Sequence, residues 1–321
     1  MNDSDAWPTA KQMLGLVALG ALVLLSVPAA AQPVKAGYIY TLSGFTGPLR
    51  NDFSRVAVDR ERNEVYVLYQ DTIRVFNDSG MEIYQFGDDL ALGHIVDLAV
   101  DEPGDILLLV YRERGTVIVR CDYRGRPRSE ITFKGLPDAF SEFVADRMAF
   151  WRGTFHLAST MGLKVVMVDR DGNFTKGYDL FPMFELEEKD RGNVEIGGFS
   201  VDAQGNILMT VPVLFRAFVL SPDGTLNWFG KASSAPGGFN ITGGISRDSK
   251  GNFLIIDRLK SSVQIFDPKF TFVTQFSTRG YKPGQLIFPA DLAVDGRDRV
   301  YVTQMGKRGI SVFTLQYAGG S

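Results

Sequence analysis

The sequence predicts an all-β protein: a six-bladed β-propeller built from four-stranded antiparallel blades. Two observations predict it. A strand–turn–strand unit recurs six times along the 321 residues at spacings of 42 to 51 residues, and repeats of this length are typical of propellers and solenoids. The sixth unit lacks a fourth strand, while a segment with the fourth-strand pattern precedes the first unit. We therefore expect the N-terminal strand to complete the last blade and close the ring.

The first 31 residues have the pattern of an export signal. Lys11 precedes an apolar run from Leu14 to Val27, and Ala29-Ala30-Ala31 offers small residues for cleavage before Gln32. The apolar run has about 14 residues, fewer than the ~20 that a membrane-spanning helix needs. We predict a cleaved signal, no membrane insertion of the mature chain, and a periplasmic or extracellular location; the alternative is an uncleaved anchor. Residues 32–321 are then a single propeller domain.

Each unit begins with two strands joined by a polar turn, as in Val56-Ala57-Val58-Asp59 followed by Glu64-Val65-Tyr66-Val67. Five units have an aspartate where the first strand ends, and the third has Trp151 instead. The aspartates are Asp59, Asp101, Asp202, Asp248 and Asp295. Because aspartate bonds its own backbone in tight turns, we interpret them as turn residues and not as a catalytic array.

Third and fourth strands follow in each unit. The third strands are predicted at 73–76, 117–121, 165–168, 217–220, 263–266 and 310–313. The fourth strands of the first five units end at Phe86, Phe133, Tyr178, Phe229 and Phe276. Residues 38–44 match the fourth-strand pattern, which makes them the candidate for the missing strand of the sixth blade. The longest interruption, between blades three and four, contains 182–190, which predicts a short helix or a solvated loop.

The sixth unit carries a set of residues in a characteristic order. They are Phe276, Gly280, Pro283 to Gln285, Pro289, Leu292 to Asp295 and Val300 to Val302. This order resembles the NHL repeat, and the resemblance extends over nearly all of residues 38–317. It implies a six-bladed propeller. It implies no single function, because the family includes protein-binding and RNA-binding modules, sensors, lyases and relatives of lactonases.

Composition excludes several kinds of site. The net charge of −3 provides no basic face for nucleic acid. Only His94 and His156 are present, so a three-histidine catalytic zinc site is impossible; we expect His156 in a core strand and His94 in a turn. The single Cys121 allows neither an intrachain disulfide nor a Cys-x-x-Cys-His haem attachment site. No cofactor is expected.

Residues just ahead of the innermost strands should line one mouth of the central channel. They are Arg55, Asp97, Arg147, Gly198, Gly244 and Asp291. Asp97 and Asp291, with Glu195 and Asn240, offer the oxygen ligands that a calcium-like ion prefers. The alternative, favoured by the two arginines, is a ring of charges that neutralise one another with no metal.

Two segments are candidates for contact with a partner. The insertion at 177–198 places Phe181, Met183 and Phe184 beside acidic residues, as in interfaces with apolar anchors, although its aromatics would equally serve to cover blade edges. The second blade carries a basic cluster of Arg112, Arg114, Arg120, Arg124, Arg126 and Arg128. Arginine binds planar carboxylates, haem propionates included, which makes Arg124 and Arg126 candidates; the alternative is an ordinary solvated face.

These observations together predict a monomeric, exported, non-enzymatic propeller that binds a protein or serves as a scaffold. A partner in envelope assembly, export or electron transfer is the corresponding expectation. The alternative function is a lactone hydrolase or lyase that depends on a calcium-like metal at the channel mouth.

Overall fold

The computed structural model describes residues 34–44, 47–49, 54–59, 61–87, 92–113, 115–306 and 308–318. The predicted export signal at 1–31 and Arg114 lie outside the described residues. The described part is almost entirely β. None of its helices is long and apolar enough to cross a membrane.

Six four-stranded antiparallel sheets form the blades. The first described strands are β1 (Val34–Thr41) and the paired β2 (Ser43–Gly44) and β3 (Gly47–Pro48). Blade 1 comprises β4 (Arg55–Asp59), β5 (Glu64–Tyr69), β6 (Thr72–Phe76) and β7 (Glu82–Phe86), and blade 2 comprises β8 (His94–Val100), β9 (Ile106–Arg112), β10 (Gly115–Cys121) and β11 (Pro127–Ile131). Blade 3 comprises β12 (Arg147–Trp151), β13 (Thr154–Ser159), β14 (Lys164–Val168) and β15 (Phe174–Asp179).

The remaining blades follow the same order from the inner strand outward. Blade 4 comprises β16 (Gly198–Val201), β17 (Ile207–Val211), β18 (Arg216–Leu220) and β19 (Leu226–Phe229), and blade 5 comprises β20 (Thr242–Arg247), β21 (Phe253–Asp257), β22 (Ser262–Phe266) and β23 (Phe272–Phe276). Blade 6 comprises β24 (Pro289–Val294), β25 (Arg299–Gln304), β26 (Ile310–Tyr317) and β1. The helices are α1 (Leu180–Met183) and the 3₁₀ turns Asp138–Phe140, Glu188–Asn193 and Pro212–Leu214.

The N-terminal strand closes the ring, as the sequence predicts. β1 pairs antiparallel with β26, from Val34 opposite Tyr317 to Thr41 opposite Ser311. The strand begins four residues before the predicted segment 38–44, because its pairing with β26 starts at Val34. The inner strands contact one another in order, and β24 contacts β4, so the six predicted blades form a closed wheel.

The middle strands are buried because each blade packs between two others. All five residues from Ile106 to Val110 in β9 are fully buried. Strands covered on both faces are typically near-continuous apolar runs, which explains the sequence of β9. The core therefore consists of six clusters of buried side chains rather than one central core.

The turn aspartates act as the sequence predicts. Asp202 Oδ1 accepts the backbone N–H of Asn206 at 2.9 Å, and Asp295 Oδ1 accepts the N–H of Arg299 at 2.8 Å. Gly205 in the first of these turns has φ +84°, a value at which glycine has no steric penalty. The turns thus return each inner strand to the second strand of its blade.

Candidate functional site

One arginine bridges two carboxylates at the channel mouth where the inner strands begin. Arg55 donates through Nε to Asp97 Oδ1 at 3.2 Å and through Nη2 to Asp97 Oδ2 at 3.3 Å. Its Nη1 lies 3.0 Å from Asp291 Oδ2. The guanidinium occupies the position between the two carboxylates that a cation would take. The structure thus brings into direct contact three of the four charged residues predicted at the mouth.

Backbone contacts hold these carboxylates in place. Asp97 also accepts the N–H of Leu98 at 3.0 Å and that of Met148 at 2.8 Å, which ties blade 2 to blade 3. Asp291 lies against Gly244, where a β-carbon would stand 2.7 Å from Asp291 Oδ1. The glycine at this mouth position of blade 5 therefore makes room for the carboxylate of blade 6.

Arg147, the fourth charged residue predicted at the mouth, pairs with its chain neighbour Asp146. Its Nη1 donates to the Asp146 carbonyl at 2.6 Å and lies 4.0 Å from Asp146 Oδ1. The Asp146 carboxylate in turn accepts the hydroxyl and the N–H of Thr160. The mouth is therefore a set of charges that largely satisfy one another.

Burial and mutual attraction set the ionisation of the mouth. Burial opposes the charge of Arg55, but attraction to Asp291 and Asp97 outweighs burial and raises the pKa of the guanidinium. Burial raises the pKa of Asp291, and Arg55 only partly offsets it. Burial also lowers the pKa of Arg147, and the like charge of Arg55 adds to that effect. Structural ion-pair networks produce such shifts as readily as catalytic groups do.

The metal-ligand interpretation of the mouth finds no matching geometry. Among the described residues, no three His, Cys, Asp or Glu side chains are grouped as ligands, so Asp97, Asp291 and Glu195 form no such set. Glu195 is exposed. Asn240 lies beside a shallow apolar groove with Val213.

Behind the ion cluster, the channel is a cavity of about 470 Å³. Side chains of the inner strands line it, including Val56, Phe150 and Leu292, and the far end reaches Glu102 and Arg152 in the turns after those strands. Polar and apolar side chains both line the cavity, which is continuous from the arginine-bridged mouth to the opposite face. This volume is within the range of small-molecule pockets.

The aromatic residues Phe181 and Phe184 of the insertion pack against the blades. Phe181 and Phe184 are buried, and the Phe184 ring packs 4.5 Å from that of Phe218. Arg191 lies 3.7 Å over the Phe181 ring, and Met183 is half-buried. The two phenylalanines therefore fit the second interpretation of the insertion, in which its aromatics fold back onto the blades, because they pack in a cluster shared by blades 3 and 4. Partner binding by this segment stays a prediction.

The two histidines and the cysteine lie in dissimilar surroundings. His156 is fully buried in β13, and burial lowers its pKa to about 4. His94 begins β8 instead of lying in a turn, and its Nδ1 is 2.9 Å from Asp71 Oδ1. Cys121 is buried, and burial raises the pKa of its thiol to about 12. None of the three lies at the channel mouth.

The basic cluster of blade 2 consists mostly of paired arginines. Arg112 pairs with Glu130, Arg120 approaches Asp101 and Asp105, Arg126 pairs with Asp122, and Arg128 pairs with Asp105. Arg124 is different: among its described neighbours the guanidinium contacts the Tyr123 ring, at 5.3 Å from the centroid. Arg124, but not Arg126, lines a groove of about 580 Å³ between blades 1 and 2. Sequence reasoning missed the groove because its walls come from two repeats.

No protein-family model and no curated protein matches the chain, and the resemblance to the NHL repeat stays a prediction. Several solved structures share the fold. A structural-genomics protein of unknown function from Bacteroides thetaiotaomicron is 15% identical with a TM-score of 0.62, over 89% of this chain and 76% of that one. An auxiliary nutrient binding protein from Bacteroides ovatus is 13% identical with a TM-score of 0.59, over 89% and 78%. The virginiamycin B lyase of Staphylococcus aureus is 10% identical with a TM-score of 0.57, over 88% and 99%. Identities this low show a common six-bladed propeller fold and leave function to be argued from the sites.

Proposed function

We propose that this chain is an exported, monomeric, non-enzymatic propeller that binds a protein partner and acts as a rigid scaffold. The observation that carries the proposal is the contact of Arg55 with both Asp97 and Asp291. Those carboxylates are the acidic side chains best placed for catalysis or metal binding at the axis, and Arg55 neutralises their charge by pairing with both. A buried ion cluster of this kind locks neighbouring blades together instead of offering a reactive group.

The wheel supports the proposal because it holds its outer surface rigidly. β1 and β26 close it on the outside, and the arginine bridge joins blades 1, 2 and 6 at the axis. Partner binding then needs only side chains presented on this frame. Exposed aromatic residues such as Tyr123 and Trp228 are of the type that contributes most to protein interfaces.

The test begins with recovery of a partner from the envelope fraction of the native cells. In size-exclusion chromatography of that fraction, the chain is expected to elute as part of a complex. The partner, purified separately, is expected to bind the purified chain at 1:1 stoichiometry. A chain that elutes alone from native extracts and binds no purified envelope protein would contradict the proposal. A variant carrying Met183→Ala and Glu187→Lys tests the insertion, since it leaves the buried phenylalanines in place.

The second candidate is a lactone hydrolase or lyase with a calcium-like ion at the mouth. One observation favours it: the Asp97 and Asp291 carboxylates both contact one cationic group, the Arg55 guanidinium, at the channel mouth. For such an enzyme, Arg55 would have to leave the carboxylates when the metal binds. Metal analysis of the purified chain and melting with and without Ca²⁺ separate the two functions. A stoichiometric ion that is lost in Asp97→Asn would favour the enzyme; unchanged melting would favour the scaffold.

A further inference from the structure

The groove between blades 1 and 2 has apolar side chains at its base, and one of its walls is a turn that is hydrogen-bonded to the neighbouring blade. Val75 and Tyr66 of blade 1 line it, together with Gly104 from a turn of blade 2. Its far wall is the turn at 122–126, which is attached to β7: Tyr84 Oη donates to the Arg124 carbonyl at 2.9 Å. The groove is therefore set by contacts between two blades, and its shape does not depend on a free loop.

A glycine shows how closely that turn approaches blade 1. Gly125 has φ +75°, and a β-carbon there would overlap the Phe86 ring. The Phe86 ring also stacks at 6.0 Å on that of Tyr84. The turn consequently lies directly on the aromatic residues of β7, which holds Tyr123 and Arg124 at the rim.

The rim exposes apolar side chains on both sides. Ile83 lies at a β-bulge, because the pairing of β6 with β7 passes from Val75–Tyr84 to Phe76–Glu82 and leaves it without a partner. Bulges re-aim side chains, and Ile83 is 46% exposed while Tyr123 is 64% exposed. Grouped exposed apolar residues around a groove are typical of interaction sites.

The charges at the groove are unequally satisfied. Arg62 donates to Asp59 and to the Pro103 carbonyl, and Arg128 pairs with Asp105 at 3.1 Å. Glu64 accepts the Tyr66 hydroxyl at 2.8 Å. The Arg124 guanidinium, by contrast, contacts only the Tyr123 ring among the described residues. The rim therefore presents one arginine without an anion, beside exposed aromatic surface.

We propose that this groove binds a short acidic peptide segment of the partner, in which a bulky apolar side chain enters between Ile83 and Tyr123 and an adjacent carboxylate pairs with Arg124. The inference rests on the proposed function, since it names the surface and the chemistry by which the scaffold holds its partner. Arginine pairs with a carboxylate through two parallel hydrogen bonds, so an Asp or Glu satisfies the cation better than a neutral residue. About 580 Å³ is enough for a few side chains and not for a folded domain.

The probe is an unbiased library of phage-displayed random 12-residue peptides, selected on the immobilised purified chain. We expect enrichment of sequences with Asp or Glu within two positions of Phe, Tyr, Trp, Leu or Ile. A fluorescein-labelled consensus peptide should bind the double variant Tyr123→Ala/Arg124→Glu at least tenfold more weakly, and weaken for the native chain as salt rises. Arg124→Glu alone should shift the selection toward Lys or Arg in place of the acid.

Tyr281→Ala provides the matched control, because Tyr281 is 74% exposed, lies beside Arg308 and does not line the groove. It should bind the consensus peptide as the native chain does. No enrichment, enriched sequences without an acid, or equal binding to the double variant would overturn the inference. If the double variant still forms the complex with the envelope partner, the scaffold function stands and the groove assignment fails; if the native chain forms none either, the proposed function itself fails.

Discussion

Arg55 of the first blade and Asp291 of the sixth are joined by an ion pair of 3.0 Å at the axis. The same guanidinium reaches Asp97 of the second blade. The ring is therefore closed twice, by strand pairing of β1 with β26 at its rim and by charge at its centre. The inner closure depends on one side chain, which makes it open to a direct test.

Replacing Arg55 with Met is expected to destabilise the chain by about 3–5 kcal/mol, because it leaves two buried carboxylates without their cation. Urea unfolding at pH 7 measures the change. At pH 5 the loss should be smaller, since carboxylates without a cation bind protons more readily. Arg297→Ala is the control, because its pair with Asp78 is exposed and is worth at most about 1 kcal/mol. Equal losses in the two variants would show that the axial bridge contributes nothing special.

Because β1 pairs with β26, an engineered disulfide should be able to join the two ends of the domain. Lys35 and Gln316 are directly opposite each other in β1 and β26, and both are exposed. The double variant Lys35→Cys/Gln316→Cys should cross-link under mild oxidation without denaturant. Because the disulfide closes a loop of almost the whole domain, it should stabilise the oxidised form by up to about 5 kcal/mol relative to the reduced form. Lys35→Cys alone is the control, and a double variant that cross-links only between molecules would argue against ring closure.

The repeats explain why the fold could be predicted from the sequence while much of the site could not. The turn aspartates and the incomplete sixth unit are local signals, and they predicted the blades and the closing strand. The repeat also placed Arg55 and Asp291 at the same channel mouth, but not which charges would pair. The Tyr84–Arg124 contact joins two repeats at positions that no spacing in the chain relates. The burial of Phe184 against Phe218 was equally hidden, because an aromatic residue in an insertion has the same pattern whether it faces solvent or a blade edge.

His156 predicts that the fold weakens as the solution becomes acidic. Burial lowers its pKa to about 4 from an ordinary value near 6.5. Between these two pH values the imidazole is protonated in the unfolded chain and neutral in the folded chain. Stability from this group is therefore complete above pH 6.5 and is lost as the pH falls toward 4. The loss between pH 7 and pH 5 should be about 2 kcal/mol.

The pH dependence of His156→Leu isolates this contribution. Both ring nitrogens of His156 lack a hydrogen-bond partner in the described structure, so an apolar replacement should cost little at pH 7. Urea midpoints of the native chain and the variant should diverge below pH 6.5, with the variant more resistant to acid. Parallel pH profiles would mean that the imidazole takes up its proton in the folded chain.

Cys121 serves as a probe of global opening. Its thiol is buried at the end of β10, and burial raises its pKa to about 12. The thiolate is the reactive form, and at pH 8 almost none of the folded chain carries it because of this raised pKa. Labelling with a thiol-specific disulfide reagent should therefore be negligible in buffer and complete in urea above the unfolding midpoint. The labelling rate should rise in Arg55→Met, because a less stable wheel opens more often, and it should stay unchanged in Arg297→Ala. Rapid labelling of the native chain would show that blade 2 opens without the rest of the ring.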